Sequence, residues 1–148
     1  PETITEPAKL LRIASMVREL LDETRQATLD EPGRKRLADI YADDADFVNV
    51  IGMRWQGASQ IAQMHVLLHE SRMRQTTLVS ENLHIRVLAP SVAVVHDTWV
   101  LTGDQGAPGW KSGEQRRGIL VHVMKLDGAG KWHIAVSQNT DIQDLPNP

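Results

Sequence analysis

Apolar residues recur at helical spacing in the first part of the chain. Between residues 7 and 28 they fall every three or four positions, with charged residues on the opposite side. Thr5 suits the N-cap position and Pro7 the first turn, so the pattern predicts a helix over about 7–28. The apolar side of this helix consists of Leu10, Ile13, Ala14, Val17, Leu20 and Leu21.

Two more helices are predicted before the chain turns to longer strands. The Asp-Glu-Pro-Gly sequence at 30–33 indicates a turn, and a short helix over about 34–40 follows it. Gly57 opens a third helix, over about 58–71. The apolar side of this third helix consists of Ile61, Met64, His65 and Leu68.

β-Branched residues and two-residue alternation dominate the second half of the chain. A short strand over 46–50 and its return over 53–55 precede the third helix. Four longer strands follow, and a Gly-rich loop at 103–113 separates two of them. These strands are predicted at 76–89, 92–102, 114–126 and 131–140. Helices followed by antiparallel strands indicate an α+β fold, with three N-terminal helices packed on a curved, mostly antiparallel sheet.

Length and charge agree with one domain of ordinary size. The chain has 148 residues and a net charge of −3, and we expect a single domain over 1–148 with its core at about 7–142. It contains no cysteine, which excludes disulfides and thiolate metal sites. Without a basic stripe or a bilayer-length apolar run, neither nucleic acid nor membrane is expected as a partner. The acidic first six residues lack the apolar segment of a signal peptide, so we expect a cytoplasmic protein.

Several stretches resemble the nuclear-transport-factor-2-like (NTF2-like, cystatin-like) superfamily, and within it the SgcJ/EcaC family. They are 41–50, Trp55 to Gly57, His65, 92–96 with Trp99, 117–120 and 132–142. The resemblance implies a cone-shaped cavity between the sheet and the helices, where a small molecule binds. Family members are often labelled oxidoreductases, but this chain has no Gly-rich dinucleotide turn, cysteine pair or metal motif. We therefore expect no cofactor.

Ketosteroid isomerase has this fold, and the stretch from Ala42 to Gly52 resembles the sequence around its catalytic aspartate. The general base of the isomerase then corresponds to Asn49, whose amide is not basic enough to take a proton from carbon. The isomerase tyrosine on the first helix has no counterpart, because the only tyrosine here is Tyr41. The neutral aspartic acid of the isomerase corresponds to a position near His122. The resemblance thus implies the fold but not the reaction.

The same comparison implies which side chains point into the cavity. His65 corresponds to a pocket tyrosine of the isomerase and Asn139 to a pocket tryptophan. Ser137 and Ala135 are expected on the face of Asn139 because side chains alternate along a strand. The expected polar end of the cavity consists of Asn49, His65, His122 and Asn139.

Three residues are candidates for acid–base chemistry. His65 and His122 suit a general acid–base pair because histidine transfers protons near neutral pH; the alternative is two hydrogen-bonded core histidines. Asp141, at the end of the last strand, is the candidate carboxylate at the cavity mouth. His65 and His69 have the spacing of zinc ligands, but Val66 stands where a zinc protease has its glutamate. No metal site is expected.

The strand 92–102 is apolar on both faces. His96 and Trp99 lie on opposite faces, and both are candidate ligand residues because alternation does not decide which face lines the cavity. One face covers the helices, and an exposed apolar second face favours self-association. We predict a homodimer packed through its sheets, with either His96 or Trp99 at the contact. Trp55 and Trp132 add flat apolar surface, either to the ligand site or to the core.

Three functional hypotheses follow. The first is a pocket protein that binds a small, mostly apolar, polyketide-like molecule. The second is a cofactor-independent isomerase, cyclase, hydratase or dehydratase, in which the pocket histidines move protons and Asn49 and Asn139 orient a carbonyl. The third is an interaction or dimerisation domain without a ligand. The sequence leaves open whether the protein is an enzyme.

Overall fold

A computed structural model describes residues 38–70, 76–103 and 115–143, with the side chains of 69 and 70 excepted. The predicted first helix, the turn after it, most of the Gly-rich loop and the last five residues lie outside these ranges. Residues 38–40 are helical, which agrees with the end of the second predicted helix. No helix within the described part of the chain has the length and apolar character needed to cross a membrane.

The described part consists of six strands and one long helix. In chain order they are β1 Tyr41–Val48, β2 Arg54–Gln56, α1 Ala58–Glu70, β3 Thr77–Ala89, β4 Val92–Thr102, β5 Arg116–Leu126 and β6 Trp132–Asp141. They form one curved sheet in the order β2-β1-β6-β5-β4-β3. Only the β1–β6 pair is parallel, so the α+β class and the mostly antiparallel sheet are confirmed. Five strands, β2 to β6, and α1 have the predicted bounds to within two residues.

Strand β1 begins five residues earlier than predicted, at Tyr41 instead of Asp46. Asp43 and Asp44 have turn-like character, which favours a later start, but in the structure both side chains are exposed while Ala45 faces the core. The pairing with β6 is irregular here, since Tyr41 pairs with Ile134 and Asp46 with Val136. The exposed aspartates therefore occupy a bulged stretch of strand, where polar residues cost little because their side chains reach water.

Strand β6 contains a second irregularity, which corrects the predicted position of Ala135. Val123 pairs with Val136, but the next residue, Met124, pairs with Ile134. Ala135 is therefore the extra residue of a β-bulge, and the alternation changes phase there. Ile134 and Ser137 both face the core, whereas simple alternation placed Ala135 on the face of Ser137.

Helix α1 covers one side of the sheet, which we call the inner face; the opposite side is the outer face. Ala58, Ile61 and Ala62 of α1 are buried in one cluster with apolar residues of the strands. Each large apolar side chain buried in this way contributes about 1.5–3 kcal/mol to folding. The inner-face residues of β4, all buried, are Ala93, Val95, Asp97, Trp99 and Leu101. The sequence did not decide which face of β4 points to the core. In the structure it is the face that carries Trp99.

Candidate functional site

The inner face changes from apolar to polar along the strands. Neighbouring strands are in register, so inner-face residues form rows across the sheet. The first row is apolar, and each of the next three rows contains polar side chains. In order, these rows contain Ala93, Met124 and Ile134; Val95, His122 and Ser137; Asp97, Leu120 and Asn139; and Trp99, Gly118 and Asp141.

Three buried side chains in the second row and on β1 form a hydrogen-bonded chain. Ser137 Oγ lies 2.6 Å from His122 Nδ1 and 3.5 Å from the Tyr41 hydroxyl. All three residues are at most 2% exposed. Burial raises the pKa of Tyr41 to about 12, against a smaller lowering by Ser137, so its hydroxyl keeps its proton at neutral pH. Ser137 Oγ thus links the Tyr41 hydroxyl to His122 Nδ1, and the direction of the two bonds follows from which ring nitrogen of His122 carries the proton.

Three aromatic rings of β1, β2 and α1 form a second cluster, which we call the aromatic box: Phe47, Trp55 and His65. Phe47 and Trp55 are stacked, with centroids 5.2 Å apart, because the two residues pair across β1 and β2. His65 presents its ring edge-on to both, at 4.9 Å from Phe47 and 5.6 Å from Trp55. His65 Nδ1 lies 2.8 Å from the carbonyl oxygen of Ile61. A carbonyl can only accept, so Nδ1 carries the proton and the neutral ring has its lone pair on Nε2.

The fourth row, with Arg116 of β5, forms what we call the Trp99 end. Trp99 Nε1 donates to Asn139 Oδ1 at 2.7 Å, and Arg116 pairs with Asp141 at 2.7 Å. The Arg116 guanidinium also lies 5.7 Å from the centre of the Trp99 ring. Gly118 leaves room for the indole, because a Cβ there would collide with the Trp99 ring. The polar groups named here hold one another in place.

Asp97 is a buried polar residue of the inner face that the sequence did not identify as a candidate. Its side chain is 4% exposed, and the Ser80 hydroxyl donates to its Oδ1. The available signal was its position: Asp97 interrupts the apolar odd-numbered residues of β4, between Val95 and Trp99. That signal has meaning only once the odd-numbered face is known to be buried.

The structure brings most of the predicted site residues to the inner face and places two elsewhere. His96 is on the outer face, where it pairs with His84 at a ring distance of 6.4 Å. Asn49 follows β1, and its Oδ1 accepts from the backbone N–H of Ile51 and of Met53, at 3.1 and 2.9 Å. Those on or facing the inner face are Trp55, His65, Trp99, His122, Ser137, Asn139 and Asp141. Asn49 therefore holds a turn, and His96 faces away from the other candidates.

A metal site would need several ligands in one place. Within residues 38–70, 76–103 and 115–143 no group of three His, Asp or Glu side chains is arranged to hold a metal ion. His69, the second histidine of the zinc-like spacing, has its side chain outside the described set.

Sequence comparison links the N-terminal part of the chain to one family. The profile of the bacterial proteasome activator family matches residues 1–48. The activator of Mycobacterium tuberculosis is 49% identical over 41 residues, which are 28% of this chain and 24% of that protein. The activator of Mycolicibacterium smegmatis is 42% identical over 40 residues, 27% of this chain and 23% of that protein. The chain thus spans about a quarter of the curated relatives it matches, and the profile includes only β1 of the sheet.

Comparison of structures covers most of the chain. A cystatin-like protein of Caulobacter vibrioides, itself uncharacterised, superposes with a TM-score of 0.78 and 21% identity over 88% of this chain and 89% of that one. An NTF2-like protein of Pseudomonas putida, of unknown function, gives 0.69 and 17% over 88% and 87%. A candidate scytalone dehydratase of Novosphingobium aromaticivorans gives 0.70 and 13% over 91% and 87%. At these identities the likeness concerns the fold. The chain therefore has a cystatin-like fold.

Proposed function

We propose that this protein binds a small, mostly apolar, polyketide-like molecule between α1 and the inner face of the sheet. The observation that carries the proposal is the Tyr41–Ser137–His122 chain, buried within an apolar face and close to the aromatic box. Phe47 joins the two features, since it pairs with Ser137 and contacts His65. The expected ligand has ring surfaces for the box and a few oxygen atoms for the polar rows.

The energetics of buried polar groups support a ligand site over a purely structural core. Burying a hydroxyl or an imidazole costs free energy that a hydrogen bond only offsets, whereas apolar residues of similar size contribute by burial. If the domain only had to fold, apolar residues like those of the first row could occupy the other rows of the inner face as well. His122, Ser137 and Asp97 instead replace apolar positions in the middle of the sheet.

Two neighbouring residues on opposite faces provide the test. Leu120 lies on the inner face between Asp97 and Asn139, and Val121 lies on the outer face between His96 and Gln138. Both are half-buried. We expect a ring-containing apolar ligand at a hundred times its Kd to raise the Tm of the wild type by about 5–10 °C. Leu120→Gln should remove this shift and Val121→Gln should retain it.

The screen would use native mass spectrometry of mildly purified protein followed by thermal shifts with apolar ring compounds. A retained mass or a shift that depends on Leu120 supports the proposal. No bound mass and no shift across the screen would overturn it and would favour the domain without a ligand.

A second candidate function is cofactor-independent acid–base catalysis, and the histidine geometry favours it. The imidazole of His65 is oriented by the bond between its Nδ1 and the Ile61 carbonyl, and in this hypothesis it transfers a proton to or from the bound molecule. The protonated Tyr41 and Ser137 orient His122 from its Nδ1 side. The structural neighbour described as a candidate dehydratase supports the same class of reaction. Asn139 Oδ1 already accepts from Trp99, and Asn49 is part of a turn, so the histidines carry this hypothesis.

Proton transfer to carbon can be measured without knowing the natural substrate. Ketones that bind in the screen would be incubated in D2O, and deuterium incorporation next to the carbonyl would be followed by mass spectrometry. The His65→Ala/His122→Ala double variant should lower the exchange rate by about 10²-fold or more. The outer-face control, His84→Ala/His96→Ala, should leave it unchanged. Full exchange by the inner-face double variant would rule out this assignment.

We also propose a homodimer formed through the outer face. Val94, Val121 and Val123 of this face are half-buried in the single chain, and Val136 is 38% exposed. A partner sheet would cover this apolar surface. Sedimentation should show a dimer for the wild type and a larger monomer fraction for Val121→Gln; a monomeric wild type would contradict the proposal.

Two finer assignments belong to the same proposal. The motif matches between residues 41 and 142 support membership of the SgcJ/EcaC family within the superfamily. The absence of cysteine fits a cytoplasmic protein, because such proteins do not depend on disulfides.

A further inference from the structure

Among the residues that the structure describes, the indole N–H of Trp55 is buried without a hydrogen-bond partner. Its nitrogen is shielded from solvent, and no acceptor is in reach of it anywhere in the described ranges. Trp99 provides the internal contrast: its side chain is equally buried, at 4% exposed, yet its Nε1 donates to Asn139 Oδ1. A buried donor without a partner is costly, so natural structures rarely keep one without a reason.

The surroundings of Trp55 fix the ring in this position. Phe47 stacks on it with an interplanar angle of 16°, and His65 meets it at 79°. The residue also belongs to β2, whose backbone pairs with β1 at Phe47. Turning the indole towards water would break both ring contacts. The unpaired N–H is thus a property of the folded aromatic box and not of a mobile surface side chain.

The chemistry of the box narrows what could pair with this donor. An indole N–H only donates, so its partner must supply a lone pair. The ring neighbours of Trp55 are Phe47 and His65 and include no lysine or arginine, so a bare anion would lose its hydration there without such a compensating charge. A neutral carbonyl oxygen on an apolar ring system meets both conditions.

We propose that Trp55 is a specificity-determining residue whose N–H donates to a carbonyl oxygen of the bound molecule. This inference rests on the proposed ligand site and adds the chemical class of its occupant: a ketone or similar carbonyl compound with aromatic or fused-ring surface. Phe47 and His65 bind the ring surface, and the Trp55 N–H selects the oxygen.

The test compares two probes of similar planar shape, 2-acetylnaphthalene and 2-isopropenylnaphthalene, in which the carbonyl oxygen of the first is a CH2 group in the second. Calorimetry would give the affinity ratio of ketone to hydrocarbon for each variant. Trp55→Phe keeps an aromatic ring but has no N–H, and this ratio should fall by roughly 3–10-fold relative to the wild type. Trp132→Phe, at an equally buried tryptophan of the same core, should leave the ratio unchanged.

The possible failures are distinguishable. If both probes bind and the ratio is the same in the wild type and Trp55→Phe, the ligand site stands but the role of Trp55 is overturned. If neither probe binds the wild type, the proposed site fails and this inference fails with it. Should Trp55→Phe not fold, a crystal structure of the wild type with the ketone decides instead. A carbonyl oxygen within about 3.2 Å of Trp55 Nε1 supports the inference, and an oxygen elsewhere overturns it.

Discussion

Two tryptophans of the inner face, Trp55 and Trp99, are buried to the same extent but differ in how their N–H groups are used. Both are 4% exposed. Trp99 donates to Asn139 and lies against the Arg116–Asp141 ion pair, over the space that Gly118 leaves. Trp55 has aromatic neighbours on two sides and, among the described residues, nothing that accepts its proton.

The two tryptophans thus mark two kinds of region. In one, the folded chain supplies partners for the polar groups, and in the other a buried donor is left for a ligand to pair with. At the Trp99 end every polar group named above has a partner of matching charge or hydrogen-bonding type. The aromatic box has ring contacts, but the Trp55 N–H has no acceptor in the described part of the chain. A ligand is therefore expected at the box, and substitutions at the Trp99 end should act on stability first.

The largest effect is expected from Gly118→Ala at the Trp99 end. The new Cβ would collide with the Trp99 ring and lie 2.6 Å from the carbonyl oxygen of Thr140, which belongs to the rigid backbone. We expect a loss of about 2–4 kcal/mol in the free energy of unfolding, measured with urea. Gly128→Ala is the control, because a Cβ there meets nothing within 4 Å. Equal losses for both would contradict the packing described for Trp99.

The decrease in stability at high pH tests whether Tyr41, which lies next to the aromatic box, is buried. Tyr41, whose ring centroid lies 6.4 Å from that of Phe47, has its pKa raised by burial from 10.0 to about 12. Because the pKa of Tyr41 is higher in the folded protein than in the unfolded chain, the stabilisation by the protonated side chain is fully present below pH 10. It should be lost at roughly 1.4 kcal/mol per pH unit between pH 10 and 12. Tyr41 is the only tyrosine, so absorbance near 295 nm reports its ionisation directly. Ionisation near pH 10 in the folded protein would mean that Tyr41 is not buried.

Arg116 and Arg117 are neighbours in the sequence, but one forms a mostly buried ion pair and the other an exposed one, so their contributions to stability can be compared. Arg116 and Asp141 are 14% and 17% exposed, whereas Arg117 and Glu81 are 47% and 49% exposed, at nearly the same ion-pair distance. Arg116→Met leaves the Asp141 carboxylate poorly solvated and should cost about 1–3 kcal/mol. Arg117→Met should cost less than about 0.5 kcal/mol. Urea unfolding checks both values, and a reversed order would contradict the account of the Trp99 end.

The smallest effects are expected from replacing each tryptophan by phenylalanine without ligand. Trp99→Phe loses the hydrogen bond to Asn139 and should cost about 1 kcal/mol. Trp55→Phe removes a donor that has no partner among the described residues, so its cost should be that of the smaller buried ring alone and lower than the cost of Trp99→Phe. The two unfolding curves, measured side by side, test whether the N–H groups differ as described. A loss at Trp55 as large as that at Trp99 would show that the Trp55 donor is satisfied in solution.

The elements could be predicted largely from the sequence because their patterns are local. The strand 92–102 and helix α1 follow from β-branched runs and helical periodicity, and both appear with nearly the predicted bounds. The start of β1 was missed because Asp43 and Asp44 have turn-like character, and only the bulged pairing with β6 accommodates them in a strand. The position of Ala135 was wrong for a similar reason, since a bulge changes the alternation without a clear local signal.

The site was only partly predictable because it depends on contacts between distant residues. His65, His122 and Ser137 were found by resemblance to a known fold, and they do lie inside or against the inner face. Asp97 was missed because the sequence did not show which face of β4 is buried. The unpaired N–H of Trp55 follows from its position between Phe47 and His65, which no local pattern encodes.

The most direct test of a ligand at the aromatic box is an NMR titration of protein labelled with ¹⁵N at the tryptophan indoles. Signals of Trp55 and Trp99 would be assigned with the two phenylalanine variants, and 2-acetylnaphthalene would be added stepwise. The account predicts that the Trp55 N–H signal moves to saturation as its proton gains an acceptor, while the Trp99 signal stays in place. A shift at Trp99 without one at Trp55, or no shift at either, would contradict it.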